Sequence, residues 1–245
     1  MAYTSWRGVI GTIKPGANPG SREDLIRILP DGVGMIPLHM DLPSERAPAR
    51  LKASQEQLTQ KIELLVEQEV DLILPEGTVA FMGEGIASEQ GLLKKWAKRF
   101  KTPIIPTGLN LVNAMKAMGM KRVIGIRPFT WASGNDFTAR YFRESGFDVL
   151  ALVSPEGYDH TNVPAITQQD IYKCAKKAFL AHPKADGIFT VASIMRVGTM
   201  GQTIEEDLGI PVISNLAARC WQVQKCLHIR QPMEGYGRLL REIPC

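Results

Sequence analysis

Short runs of apolar residues rich in Val, Ile and Leu recur along the chain, separated by stretches of mixed polar and apolar residues long enough for helices. The runs predict strands over Gly8 to Ile13, Gly32 to Leu38, Leu72 to Leu74, Ile104 to Pro106, Val123 to Ile126, Val149 to Val153, Gly187 to Val191 and Val212 to Ser214. Each is nearly continuous in apolar residues instead of alternating, the pattern of a strand covered by helices on both faces. Strands alternating with helical stretches read as βαβ units around parallel sheet.

The second half of the pattern echoes the first. Arg7-Gly8-Val9-Ile10-Gly11 is answered by Arg122-Val123-Ile124-Gly125, and each run continues into a basic residue and a proline, Lys14-Pro15 and Arg127-Pro128. Val70-Asp71-Leu72-Ile73-Leu74 is answered by Ala185-Asp186-Gly187-Ile188-Phe189, and Thr102-Pro103-Ile104-Ile105 by Ile210-Pro211-Val212-Ile213. Matches in the same order at nearly constant spacing indicate a duplicated unit. The expectation is an α/β protein of two pseudosymmetric Rossmann-like halves, each with a four-stranded parallel sheet flanked by helices. Residues 1–113, rejoined by 224–245, would form the first half and 114–223 the second, with the active-site cleft between them.

Composition narrows the class. With 44% hydrophobic and 22% charged residues among 245, the chain has the make-up of a globular protein. No apolar run reaches the roughly 18 residues of a membrane span, and the first residues lack the apolar core of a signal peptide, so a cytoplasmic protein is the default expectation. The net charge of +4 is mild and the basic residues are interspersed with acidic ones. Nothing resembles a nucleic-acid-binding motif, and a small anionic substrate accounts for the excess equally well. The four cysteines, Cys174, Cys220, Cys226 and Cys245, form no CxxC pair, so neither a zinc site nor a disulfide framework is suggested. A homo-oligomer is compatible with all of this.

In open parallel sheets ligands bind beyond the carboxyl ends of the strands. The loop Lys14-Pro15-Gly16-Ala17-Asn18-Pro19-Gly20-Ser21 is rich in small residues and precedes a helix, a place where backbone amides can approach an anion. A plain tight turn fits it as well. It is not a phosphate-binding P-loop, and no dinucleotide fingerprint follows any strand, so nucleotide cofactors are disfavoured. After the matched inner strands, Glu76-Gly77-Thr78-Val79 and Val191-Ala192-Ser193-Ile194 each present a very small residue and then, at Thr78 and Ser193, a hydroxyl. A hydroxyl among backbone amides makes an oxyanion or carboxylate site, though a hydroxyl there is also an ordinary helix cap.

These features, from Val9-Ile10-Gly11 through Arg127-Pro128-Phe129 and Asn135, Gly146-Phe147-Asp148-Val149 and Leu208-Gly209-Ile210-Pro211-Val212-Ile213-Ser214 to the closing Gly235-Tyr236-Gly237-Arg238-Leu239-Leu240, resemble the aspartate/glutamate racemase superfamily, and within it the arylmalonate decarboxylase and maleate isomerase branch. The resemblance implies an active site between pseudosymmetric halves in which one or two cysteines act next to a carboxylate. The first family cysteine falls on Gly77 and the second on Ala192, so both thiols are absent here. Glycine at the first position is what the decarboxylase branch shows. Alanine at the second removes the usual proton donor, which a thiolate supplies because its pKa can be poised near neutrality.

The expected function is therefore a cofactor-independent decarboxylase or isomerase of this type, acting on a small carboxylate through an enolate-like intermediate. Glu76, Thr78, Ser193 and His160 are the candidate catalytic residues, Glu76 because burial would raise its pKa, although alternation along an extended segment can turn it away from the cleft. Asn18, Gly77, Val79, Phe129, Asn135, Ala192 and Arg196 are the candidate binding residues, Arg196 through a bidentate fork. Phe129 stands where many relatives place a tyrosine. Tyr158, Asp159 and His160 lie in a loop able to close on the cleft, although a lone loop histidine is commonly a surface residue. Two alternatives remain: a hydrolase or lyase using Glu76 or His160 on the same scaffold, and a carboxylate-binding relative without activity.

Overall fold

A computed structural model describes residues 4–15, 20–40, 49–77, 81–128, 136–159 and 161–244. Seven named strands form two parallel sheets. β1 (Gly8–Pro15), β2 (Val33–Met40) and β3 (Leu72–Pro75) make the first, in the order β2-β1-β3. β4 (Arg122–Ile126), β5 (Asp148–Val153), β6 (Gly187–Thr190) and β7 (Val212–Ile213) make the second, in the order β5-β4-β6-β7. The predicted fourth strand of the first sheet is reduced to a single bridge: Ile104 pairs with Ile73, held by Ile73 N to Pro103 O and Ile105 N to Ile73 O, both at 2.9 Å. Pro103 and Pro106 leave that segment few amides to extend the ladder.

Several backbone bonds at the ends of the central strands have counterparts in the other sheet. Asp71 N donates to Val9 O and Asp186 N to Arg122 O, both at 2.8 Å. The same two aspartates accept backbone amides at the start of the central strands, Asp71 from Val9 and Asp186 from Lys121 and Arg122. At the other end, Glu76 N donates to Ile13 O and Val191 N to Ile126 O. These bonds equate Val9 with Arg122 and Ile13 with Ile126, one residue out of step with the Val9 and Val123 echo. The register instead matches Lys14-Pro15 with Arg127-Pro128.

Helices α1 (Gly20–Ile28), α2 (Ala49–Glu67), α3 (Ile86–Arg99), α4 (Thr107–Ala117), α5 (Phe137–Glu144), α6 (Gln168–Ala181), α7 (Met200–Leu208), α8 (Asn215–Cys226) and α9 (Arg238–Glu242) cover the sheets. α4 and α8 each follow the last strand segment of their own half, pack against one another, and cross over: α4 also touches β6 and β7, and α8 touches β3. The central core accordingly draws on both halves, with Ile10, Leu72 and Leu74 beside Val123, Phe189, Ala217 and Trp221. Ile13 and Ile73 face the other way, into a separate cluster with Leu58, Leu65 and Trp96. Because strand side chains alternate, Ile10, Thr12 and Lys14 share the inward face of β1, and Leu72, Leu74 and Glu76 that of β3.

A second buried contact ties the halves together. Tyr141 on α5 donates from its hydroxyl to Glu89 Oε1 on α3 at 2.5 Å, and Glu89 Oε2 is buried with no hydrogen-bond partner. Burial pushes the Glu89 carboxyl up from 4.5 to about 7, against the opposing pull of the Tyr141 bond. The folded protein therefore holds a proton that the unfolded chain releases above about 4.5. Stability from this group is full at low pH, declines as pH rises from 4.5 to about 7, and levels off beyond. Glu89→Gln keeps an acceptor for Tyr141 and cannot ionise. Urea unfolding should show the variant gaining on the native chain across that window, by roughly 3 kcal/mol, with no further divergence above it.

Candidate active site

Lys14, the last inward residue of β1 before Pro15, is buried and donates from Nζ to Ser21 Oγ in the first turn of α1 at 2.7 Å. Glu76, one residue past β3, is buried on the same inward face, where Arg219 Nη2 of α8 meets its Oε1 at 3.1 Å. Arg219 is 1% exposed, an uncommon fate for an arginine. The α8 segment Ala217-Ala218-Arg219-Cys220-Trp221 is otherwise made of small and apolar residues, so the helix carries this charge into the middle of the molecule. Its side chain reaches the end of β3 because α8 crosses from the second half onto the first.

Only part of the Arg219 fork is used by that pair. Nε and Nη1 are buried and without a hydrogen-bond partner, as are the Thr190 hydroxyl oxygen at the end of β6 and Asn215 Oδ1 at the start of α8. All three residues line one cavity of about 10 Å³, together with Ser21, Asp24, Ala192, Arg196, Val197, Ser214 and Leu216. That is room for about one water-sized atom. Buried donors without acceptors carry a desolvation penalty of about 1–3 kcal/mol each, more for a charged donor. Such a group marks a place built to receive an acceptor. Across the sheet, Arg127 occupies the position equivalent to Lys14, buried as well, with Nη1 on Asp136 Oδ2 at 2.8 Å and Nε unpartnered. The carboxyl ends of both central strands thus carry a buried cation.

The cavity has a wall. Arg196, in the left-handed region at φ 41°, grips Asp24 of α1 with two bonds, Nε to Oδ2 at 2.9 Å and Nη2 to Oδ1 at 2.7 Å. Beyond this pair an open groove of about 470 Å³ is lined by Arg27, Ile166, Gln168, Thr199 and Tyr236. Asp24, Arg196 and Leu216 belong to both spaces, so the ion pair stands between the inner cavity and the outer groove.

Of the expected site residues, Glu76, Gly77, Ala192, Ser193 and Arg196 lie among the described residues. Gly77 has φ 110°, backbone that only glycine adopts without strain, at the turn leaving β3. Ala192 lines the cavity at the end of β6, and Ser193 opens a short 3-10 helix, Ser193–Met195. Glu76 points into the inter-half space, toward α8, and not away from it. Arg196 lines the cavity, but its fork is closed on Asp24 and presents no free bidentate face. Asn18, Thr78, Val79, Phe129, Asn135 and His160 lie outside the described residues. The neighbours of His160 are anchored: Tyr158 donates its hydroxyl to Asp170 at the start of α6 at 2.7 Å, and Asp159 accepts from Thr161 N. The described cysteines show no activated thiol. Cys220 is fully buried and donates to Ile28 O, its pKa pushed up to about 12, and burial likewise lifts Cys174 to about 11 and raises Cys226. Among the described residues no group of His, Cys, Asp and Glu could hold a metal ion, and no helix is long and apolar enough to cross a membrane.

Known proteins resemble this chain throughout. A family model described as arylmalonate decarboxylase matches residues 47–240. The maleate isomerase of Nocardia farcinica is 26% identical over 132 residues, 54% of this chain and 52% of that protein. The chain thus aligns with only about half the length of that curated relative. Among solved structures, a glycine-to-cysteine mutant of arylmalonate decarboxylase in a sulfate-ion-associated form superposes with TM-score 0.82 at 21% identity, covering 95% of this chain and 99% of the other. The Nocardia farcinica maleate cis-trans isomerase with a covalently bound succinylcysteine intermediate gives TM-score 0.80 at 22% identity, covering 96% and 98%.

The inner ion cluster generates a stability prediction. Glu76→Gln leaves Lys14 and Arg219 facing each other without their shared counter-charge, and removal of one partner of a buried pair costs roughly 3–5 kcal/mol. Urea unfolding should register that loss. Adding Lys14→Met to Glu76→Gln should recover part of it, because the repulsion disappears with the second cation.

Proposed function

Because the chain belongs to the arylmalonate decarboxylase family, we propose that it is an enzyme acting without metal or organic cofactor on a small mono- or dicarboxylate, as a decarboxylase or isomerase working through an enolate-like intermediate. The observation that carries the reading is the Arg219 guanidinium, buried with two unpartnered N–H groups at a cavity that also contains Ala192. In this reading the cleft lies between a first half of residues 1–113 rejoined by 224–245 and a second half of 114–223, in a cytoplasmic protein.

A carboxylate oxygen entering the cavity would accept from one unpartnered N–H of Arg219, with the Thr190 hydroxyl beside it. A solved decarboxylase mutant in a sulfate-ion-associated form and a maleate isomerase with a succinylcysteine intermediate support this reading by analogy. Loss of carbon dioxide leaves an electron pair spread over the remaining carboxyl group as an enediolate. Preorganised cations and dipoles stabilise such charge most where water is excluded, and removal of one donor of this kind typically costs 10²–10³ in kcat. Gly77, Thr78 and Val79 after β3, Asn18 after β1, and Ala192 and Ser193 after β6 would supply the remaining amides and hydroxyls, with Phe129 and Asn135 completing the wall. Since the inner cavity is small and its mouth is closed by Asp24 and Arg196, substrate enters from the outer groove with that pair parted.

The experiment is NMR of the protein in deuterated water with alkyl- and arylmalonates, maleate and related acids. Carbon dioxide release with deuterium at the adjacent carbon is the expected result for a decarboxylase, and the trans product from maleate for an isomerase. Solvent oxygen in the product would assign the hydrolytic alternative, with Glu76 or His160 activating water. Binding without exchange or product for any acid would contradict an enzymatic role.

A further inference from the structure

We propose that Lys14 is the proton donor to the reacting carbon, in place of the thiols that Gly77 and Ala192 do not supply. The proposal rests on the decarboxylase reading above and adds to it the identity of the acid.

Position comes first. Ile13 pairs with Pro75 in the β1–β3 ladder, so Lys14 stands beside Glu76 and Gly77, where the first thiol of the family falls. It lies on the inward face, and its Nζ is 2.7 Å from Ser21 Oγ, whose residue lines the cavity with Ala192 and Arg219. The ammonium therefore sits at the end of β1 beside the first former thiol position, in contact with Ser21 of the cavity lining.

Chemistry then separates Lys14 from its neighbours. Arg219, Arg127 and Arg196 hold their protons too tightly to act as acids. The hydroxyls of Ser21, Thr190 and Ser214 are poor acids near neutrality. Glu76 is held by Arg219 as its counter-ion. Asp24 lines the cavity but is tied to Arg196; the Lys14 ammonium, joined to the cavity lining through Ser21, can both carry a proton and release it. Burial lowers its pKa from 10.5; Glu76 opposes that shift, Arg22 and Arg219 reinforce it, and Glu23 opposes it weakly. Desolvation beside other cations is the environment that tunes a lysine toward acid–base work. His39, its register partner on β2, is exposed.

The step balances. The bond from the α-carbon to one carboxylate breaks and carbon dioxide leaves, with the electron pair remaining as the enediolate. Lys14 transfers one ammonium proton to the α-carbon and becomes a neutral amine. Water returns the proton to Lys14, and the resulting hydroxide combines with carbon dioxide as bicarbonate. Arg219 keeps the surviving carboxylate in place and Glu76 balances the cations throughout.

The test compares the native protein with Lys14→Arg and Lys14→Met, using a turned-over malonate for kcat, the same malonate for binding by calorimetry, and deuterium incorporation at the α-carbon of the product acid. Lys14→Arg keeps the charge and loses the transferable proton, so kcat and deuterium exchange should both fall by about 10²–10⁴ while the malonate Kd stays within about threefold. Lys14→Met should lose turnover and weaken binding as well. Native kcat should decline at high pH through a pKa below 10.5. Turnover and exchange in Lys14→Arg within about threefold of native would overturn the assignment and leave the decarboxylase reading standing. If neither variant folds, the native pH profile decides, and a kcat flat up to pH 10.5 overturns it. A native protein that binds these acids but neither releases carbon dioxide nor exchanges deuterium would overturn the parent reading together with this one.

Discussion

The buried pair between Arg219 and Glu76 is the constraint on which the rest of the site depends. It joins a helix of the second half to a strand end of the first, at the level where both sheets present their carboxyl ends. Removing an ion from water costs several kcal/mol even after relaxation, so a single buried pair is a weak source of stability. Here the imbalance is greater, because Lys14 adds a second buried cation against one carboxylate. A core selected only for stability would favour an apolar helix face at Arg219. The retained charge, with part of its hydrogen-bonding capacity unused, is intelligible as the binding element for an anion.

The chain has Gly77 and Ala192 at the turns after β3 and β6, and burial raises the pKa of its described cysteines. Its strand ends instead carry Lys14 and Arg127, equivalent by the backbone hydrogen bonds of the two sheets. In the proposed reading, charge stabilisation and proton delivery fall to Arg219 and Lys14. The Asp24 and Arg196 pair shields that arrangement from the outer groove, and a drier cavity strengthens every charge interaction inside it.

Much of this was legible in the sequence, and the misses have physical causes. All eight strand segments stood out because parallel strands buried on both faces read as apolar runs. The fourth of the first half shrinks to a bridge because two prolines flank it. The sequence echo aligned Gly11 with Gly125, whereas the backbone hydrogen bonds at the strand ends correspond one residue out of step with it. Ala192 and Gly77 were found at strand ends, where open sheets place ligands. Arg219 was missed because a single charge in a helix reads as a surface residue; its signal was the small and apolar residues immediately flanking it, Ala217, Ala218, Cys220 and Trp221. Lys14 was read as part of a loop because β1 runs two residues farther than its apolar core. That same extension, by strict alternation from Ile10, turns it inward. The direction of Glu76 follows from the same count starting at Leu72, whereas the closure of Arg196 on Asp24, far apart in sequence, has no local signature.

The most direct measurement is a crystal structure with malonate bound. The account places one carboxylate on an unpartnered N–H of Arg219 beside Thr190, with the α-carbon toward Lys14 Nζ and the Asp24 and Arg196 pair displaced to admit it. Malonate confined to the outer groove, on Arg27 or Arg196 with the Arg219 fork still without an acceptor, would contradict the claim that the buried cation cluster is the substrate site.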